Sequence, residues 1–148
     1  MTTTGLATAK TRNWHEQALL ISSELTRWFR KDREPHVLPV SPENVINTLR
    51  EAGVSFVLMG TYGINGYREE PRATQDVDVL VVKRDVRKAI RVLQERYPEL
   101  DVIENIVVAR FYDKSTQKVV IDVMKPSSDV MRIVFRNTYL VNKKYKIP

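Results

Sequence analysis

The chain of 148 residues contains no cysteine. Disulfides, thiolate zinc sites and iron–sulfur clusters are therefore excluded, and the composition fits a reducing, cytoplasmic setting. Only two histidines are present; nothing pairs His15 with His36 as metal ligands, and both read as solvated. Glycine is scarce, with five residues, which argues against a loop-dominated fold. No run approaches 18 apolar residues and the N-terminus carries no long apolar stretch, so neither a signal peptide nor a membrane span is expected.

What is present is an ordinary globular mixture, 43% hydrophobic and 28% charged, long enough to bury a real core. The excess of Lys and Arg, 24 against 18 acidic residues, gives a net charge of +6. Such a surface attracts polyanions, whether nucleotide, nucleic acid or an acidic partner, without choosing among them.

Residues 1–10 read as frayed. Asn13 with Glu16 has the form of a helix cap and its reciprocal partner. Trp14, Ala18, Ile21, Leu25 and Trp28 then recur at intervals of four, three, four and three, one apolar stripe of an amphipathic helix over 14–31. That stripe either packs on the chain's own core or docks a partner or dimer mate. Pro35 and Pro39 make 32–40 an extended linker. The expected division is residues 1–40 as N-terminal helix and linker, and residues 41–148 as the main domain. Ser41-Pro42 starts a second helix, with a serine cap and proline at its first position, and Gly53 closes it as a left-handed cap.

The densest stretch runs from Val54 to Val82. An apolar strand over 54–59 ends at Gly60-Thr61, a turn that opens a short helix to about Tyr67. A loop carrying Arg68 and Arg72 follows, then Asp76 and Asp78 at the head of a second strand over 76–82. Residues two apart on a strand share a face, so the two carboxylates project together, roughly 6–7 Å apart at Cα. Paired carboxylates repel, and a hard divalent cation with oxygen ligands relieves that repulsion. The same Asp-x-Asp is also compatible with a solvated turn capped by Asp76.

Asp85 reads as the cap of a helix to about Arg96, whose outer face is basic. Residues 102–103, 106–112 and 118–124 read as strands, the last two joined by a polar hairpin turn over 113–117. Asp122 lies inside the last strand. A charge there needs a partner: either the other two carboxylates and a cation, or a lysine or arginine. Pro126 to Asp129 breaks the sheet. The alternation Met131-Ile133-Phe135, followed by Tyr139-Val141, reads as a further strand before a basic end at Lys143, Lys144 and Lys146.

Gly60-Thr61, Arg72-x-Thr74-x-Asp76-x-Asp78 and a later strand bearing Asp122 together resemble the nucleotidyltransferase superfamily with the DNA polymerase β-like fold. The likeness is strongest to the small prokaryotic members, including antitoxin-type proteins of abortive-infection and toxin–antitoxin systems. It covers about residues 43–125. Thr61 stands where the family has Ser or Gly. The family's usual helical continuation has no counterpart before Pro148, so the resemblance implies a minimal, truncated or degenerate member.

The resemblance implies an α+β fold: a mixed sheet of about four to six strands flanked by helices, here with an extra N-terminal amphipathic helix. It implies magnesium, as two ions or with manganese in its place, held by Asp76, Asp78 and Asp122, with Gly60, Thr61 and Arg72 on the phosphates of an NTP. A nucleoside monophosphate would pass to a hydroxyl on protein, RNA or a small molecule. Arg72 is equally placed to pair with Glu69 or Glu70. Two other readings stand beside this one: a non-catalytic binding module, antitoxin or adaptor, on the same fold, and a basic nucleic-acid-binding domain.

Overall fold

The structure, a computed structural model, describes residues 3–126 and 129–148; Met1, Thr2 and the Ser127–Ser128 part of the expected break lie outside the described residues. Helices α1 (Thr3–Arg33) and α2 (Pro42–Glu51) precede strand β1 (Phe56–Met59), which runs directly into the short helix α3 (Gly60–Ile64) and a 3-10 turn, Asn65–Tyr67. Strand β2 (Val77–Val81), helix α4 (Val86–Arg96) and strands β3 (Leu100–Glu104), β4 (Val108–Asp113) and β5 (Val119–Met124) follow. Helix α5 (Asp129–Arg136) and the hairpin β6 (Tyr139–Val141) and β7 (Tyr145–Ile147) end the chain.

The strands form one mixed sheet in the order β3-β4-β5-β2-β1-β7-β6. The pairs β2–β5 and β1–β7 are parallel and the others antiparallel. Seven strands exceed the four to six expected, because the C-terminal tail supplies two strands where one was read. Lys144 N donates to Val141 O, and Asn142 and Lys143 both take positive φ. This is a type I′ turn, the tight connection that suits twisted hairpins.

One face of the sheet holds the core. Val77, Val79 and Val81 alternate onto it, beneath Val45, Ile46 and Leu49 of α2 and Ala89, Ile90 and Leu93 of α4. The apolar spacing of both helices follows the helical repeat, so each buries one stripe. Ser41 caps α2 as expected, accepting from Asn44 N at 3.2 Å, with Pro42 at its start and Gly53 left-handed at its end. Val57 and Leu80, also fully buried, point to the opposite face and stand outside the main cluster.

Several expectations are corrected. Helix α1 starts at Thr3, so residues 3–10 are helical and the chain does not enter its helix at Asn13. Of the Trp14–Trp28 stripe, Ala18 is buried and Trp14 half-buried, but the rest faces outward. Ala18 and Leu19 go inside with His15, Ser22, Ser23, Thr26 and Arg30, while Ile21 and Leu25 are exposed and Trp28 is 80% exposed. Hydroxyl contacts decide this orientation: Ser22 donates to Arg72 O, Ser23 to Glu43 at 3.2 Å, and Thr26 Oγ1 accepts from Thr74 N at 3.0 Å. His15 is buried between the rings of Tyr67 and Tyr139, not solvated, and that burial lowers its pKa. Asp85 stands at the N-cap of α4 as expected, but its side chain makes no capping bond; its carboxylate accepts from Ser55 N at 2.9 Å and ties the head of α4 to the start of β1. Met131, Ile133 and Phe135 lie on α5, not a strand. Apolar residues crowd nearly every position from 130 to 135, so the pattern fits both periods.

Asp113 begins the β4–β5 turn and has a second task. It accepts from Ser115 N at 2.9 Å, Ser115 Oγ at 2.7 Å, Thr116 N at 3.0 Å and, from the linker, Leu38 N at 2.7 Å. Burial pushes its pKa up, but these donors outweigh burial and hold it down at about 2. A carboxyl whose folded pKa lies below its unfolded value of about 3.9 stabilises above that value, and the contribution is lost as pH falls toward the folded pKa. Asp113→Ala should therefore cost about 1–3 kcal/mol in unfolding at pH 7, and the loss should shrink when both proteins are unfolded by denaturant near pH 2.5.

Candidate functional site

The register of four adjacent strands builds a row of functional groups across the sheet. Met59 of β1 faces Asp78 of β2, Asp78 lies beside Asp122 of β5, and Asp122 faces Arg110 of β4. Directly paired residues project to one face, so Asp78, Asp122 and Arg110 share it, opposite to Val77 and Val79. Asp76, in the turn just ahead of β2, turns to the same place. One oxygen from each of Asp76, Asp78 and Asp122 lies within 4.8 Å of the others.

The three carboxylates are half-buried. Burial, then the neighbouring charges of Asp76 and Asp122, push the Asp78 carboxyl up to about 7. Burial also raises Asp122, against the Arg110 guanidinium, which draws it back down. Arg110 Nε lies 3.3 Å from Asp122 Oδ1, an ion-pair distance, yet that buried oxygen has no well-directed hydrogen bond. Both readings of Asp122 are thus realised together: it joins the acidic cluster and it faces an arginine.

This donor set fits a hard divalent ion. The three clustered side chains all offer carboxylate oxygens, one of them a buried acceptor without a hydrogen bond; Arg110 at the edge offsets only part of their mutual repulsion, and a cation removes the rest. Ligand oxygens around one magnesium ion are roughly 3–4 Å apart, so these side chains need close only slightly.

Gly60 shapes the rim. It follows β1 at φ +60, and a Cβ on it would fall on Asp78 Oδ2. The turn therefore admits glycine for two reasons, a left-handed backbone and the space the carboxylate occupies. Thr61 is half-buried in the first turn of α3. Arg72 is exposed, and among the described residues it pairs with neither Glu69 nor Glu70. Its backbone is held firmly: fully buried Asn65 accepts from Arg72 N at 3.0 Å and donates to Arg72 O at 3.2 Å.

Thr26 and Tyr62, which sequence reasoning missed, join Thr74 of the motif in setting the loop's position. Thr74 Oγ1 donates to Asp76 Oδ1 at 3.4 Å, Thr74 N donates to Thr26 Oγ1, and Tyr62 Oη donates to Thr26 Oγ1 at 3.2 Å. Helix α1 thereby holds the turn that carries Asp76. No spacing announces Asn65, Ser22 or Thr26. Arg110 carried a signal that went unused, a charge between Ala109 and Phe111 in an apolar strand.

The cluster implies a pH dependence. The folded Asp78 pKa lies above the unfolded value, so the ion-free protein loses stability as pH rises from about 4 through about 7. Each unit of the raised pKa is worth about 1.4 kcal/mol. In EDTA, the Tm contribution of this site should fall between pH 5 and pH 8, and saturating Mn2+ should oppose the fall, since ion binding favours the ionised carboxylates.

No protein-family profile matches the chain, and no curated protein matches it. Among solved structures, the chain is similar to an antigenic nucleotidyltransferase-like protein from Paracoccidioides brasiliensis, at 16% identity over 70% of this chain and 56% of that one, with a TM-score of 0.42. It is similar to terminal uridylyl transferase 4 from Trypanosoma brucei with bound GTP, at 16% identity over 80% of this chain and 42% of that one, with a TM-score of 0.39. A protein from Thermotoga maritima, provisionally assigned as a nucleotidyltransferase, gives 13% identity over 78% of this chain and 81% of that one, with a TM-score of 0.44. The chain spans about half the length of the first two, 56% and 42%. No helix among the described residues is long and apolar enough to cross a membrane.

Proposed function

We propose that the chain is a metal-dependent nucleotidyltransferase that moves a nucleoside monophosphate from an NTP to a hydroxyl. The observation that carries this reading is the convergence of Asp76, Asp78 and Asp122 within 4.8 Å. The sequence motif that places Gly60-Thr61 ahead of them supports it. Asp76, Asp78 and Asp122 would together hold the divalent ion that accompanies the triphosphate. A magnesium ion bound there would supply charge neutralisation at the phosphates and a lowered pKa for the attacking hydroxyl. Gly60 and Thr61 take the β- and γ-phosphates, and Arg72 reaches them from the loop. Arg110 favours the ionised form of Asp122. The acceptor oxygen bonds to the α-phosphorus, the α–β bridge breaks, and pyrophosphate leaves while the hydroxyl proton passes to solvent.

Thermal unfolding with ATP, GTP, CTP and UTP, each with and without magnesium, tests this without knowledge of the acceptor. A ligand at about 100 times its Kd adds roughly 2.7 kcal/mol, which is several degrees for a chain of this size. The expected result is a magnesium-dependent rise with at least one nucleotide, absent in Asp78→Asn. Asp122→Asn should keep most of that rise while abolishing transfer to any acceptor later identified; equal loss of binding and transfer would remove its separate role.

A second reading, a binding module on the same fold, is favoured by the outward apolar side of α1, where Leu20, Ile21, Leu25, Trp28 and Phe29 are all exposed. No nucleotide shift under any condition would favour it.

A further inference from the structure

A groove of about 590 Å3 runs between the C-terminal half of α1, the linker and the start of α2, with Tyr62 of α3 at its edge. Three side chains on its wall each carry a buried polar atom with no partner: Arg30 Nε, Glu34 Oε1 and Glu43 Oε1. Arg30 is only 8% exposed, and among the described residues its side chain makes neither a hydrogen bond nor an ion pair. Burying a guanidinium without an acceptor is costly, and such groups in native proteins have an explanation. The remaining wall is apolar, with Val37, Val40 and Pro39 beside the Tyr62 ring.

None of the three clustered carboxylates lines the groove, but a relay of hydrogen bonds connects them to it. Tyr62 and Thr26 line it, and the hydrogen bonds from Tyr62 to Thr26, from Thr74 N to Thr26 and from Thr74 to Asp76 link its wall to the cluster.

We propose that this groove binds the nucleobase of the nucleotide whose phosphates lie at the carboxylate cluster, an inference that rests on the reading given above for that cluster. A free phosphate does not suit it, because two carboxylates share the wall with Arg30. The donors and acceptors are mixed, the walls are apolar, and the volume lies within the ordinary range for small-molecule sites. A flat heterocycle with an acceptor beside N–H donors answers all of these. Guanine satisfies the full set: its carbonyl accepts from Arg30, and its ring N–H and amino group donate to Glu34 and Glu43. A zwitterionic amino acid is the competing chemistry, with its carboxylate on Arg30 and its ammonium on a glutamate, but it leaves the flat apolar walls unused.

The test uses nucleosides, which lack phosphate and so need no metal. In EDTA, millimolar guanosine should raise the Tm of the full chain by roughly 2–4 °C, more than adenosine, cytidine or uridine. Glu43→Gln and Arg30→Met should each lose the shift, whereas Asp78→Asn should keep it. Titration of Mn2+ serves as the control, because Glu43→Gln should bind it as wild type does. If no nucleoside shifts the wild type, or if free amino acids do so in their place, the base site is overturned. A failure of the carboxylate reading shows separately, as absent Mn2+ binding in wild type.

Discussion

Asp78→Asn should make the ion-free protein more stable at pH 8, by on the order of 1–3 kcal/mol, while weakening divalent-ion binding by at least about 100-fold. Asparagine has the size of aspartate, so packing between β1 and β5 is preserved. What disappears is a charge that burial and two neighbouring carboxylates disfavour, as the raised Asp78 pKa of about 7 records. The gain should appear as a Tm rise of several degrees in EDTA, and it should vanish near pH 5, where wild-type Asp78 is already mostly protonated. A purely structural aspartate gives the opposite sign, because its removal breaks contacts the fold relies on. A destabilised Asp78→Asn protein with unchanged Mn2+ affinity would contradict the metal reading.

Gly60→Ala should act through the same cluster with the opposite effect on stability. Alanine at φ +60 pays the left-handed backbone penalty, about 1–2 kcal/mol, and its Cβ must push the Asp78 carboxylate aside. Unfolding free energy should fall by about 2 kcal/mol or more, and Mn2+ affinity should fall with it. Gly53→Ala is the matched control. Gly53 also has positive φ, +73, but nothing lies within 4 Å of the Cβ it would gain. That variant should lose stability and keep full metal affinity. Equal metal affinity in both glycine variants would dissociate Gly60 from the site.

The reason the central stretch could be read from sequence is local. Asp78 and Gly60 sit on or beside strong apolar strands; the strand starts at Val77, one residue later than read, so Asp76 reaches the same face from the turn, not through the period-two rule. Asp122 needed one further assumption, that its strand lies beside β2, and the parallel register Asp78–Asp122 supplies it. The orientation of α1 was not legible. Its apolar stripe is the stronger signal in sequence, but the buried side is chosen by hydroxyl contacts from Ser22, Ser23 and Thr26 to partners 20 to 50 residues away. His15 was misread for the same reason, since Tyr67 and Tyr139, which enclose it, are distant in the chain. In α5 the failure was local: a nearly unbroken apolar run fits a strand or a helix equally.

Whether Asp76, Asp78 and Asp122 together hold a divalent ion at a nucleotide site can be seen by anomalous diffraction from crystals soaked in Mn2+ with a non-hydrolysable NTP. A manganese peak should appear in coordination contact with oxygens of all three aspartates, with nucleotide phosphate bound to the same ion on the Gly60 side. Manganese absent from the three carboxylates, with the nucleotide absent or bound elsewhere, would contradict it.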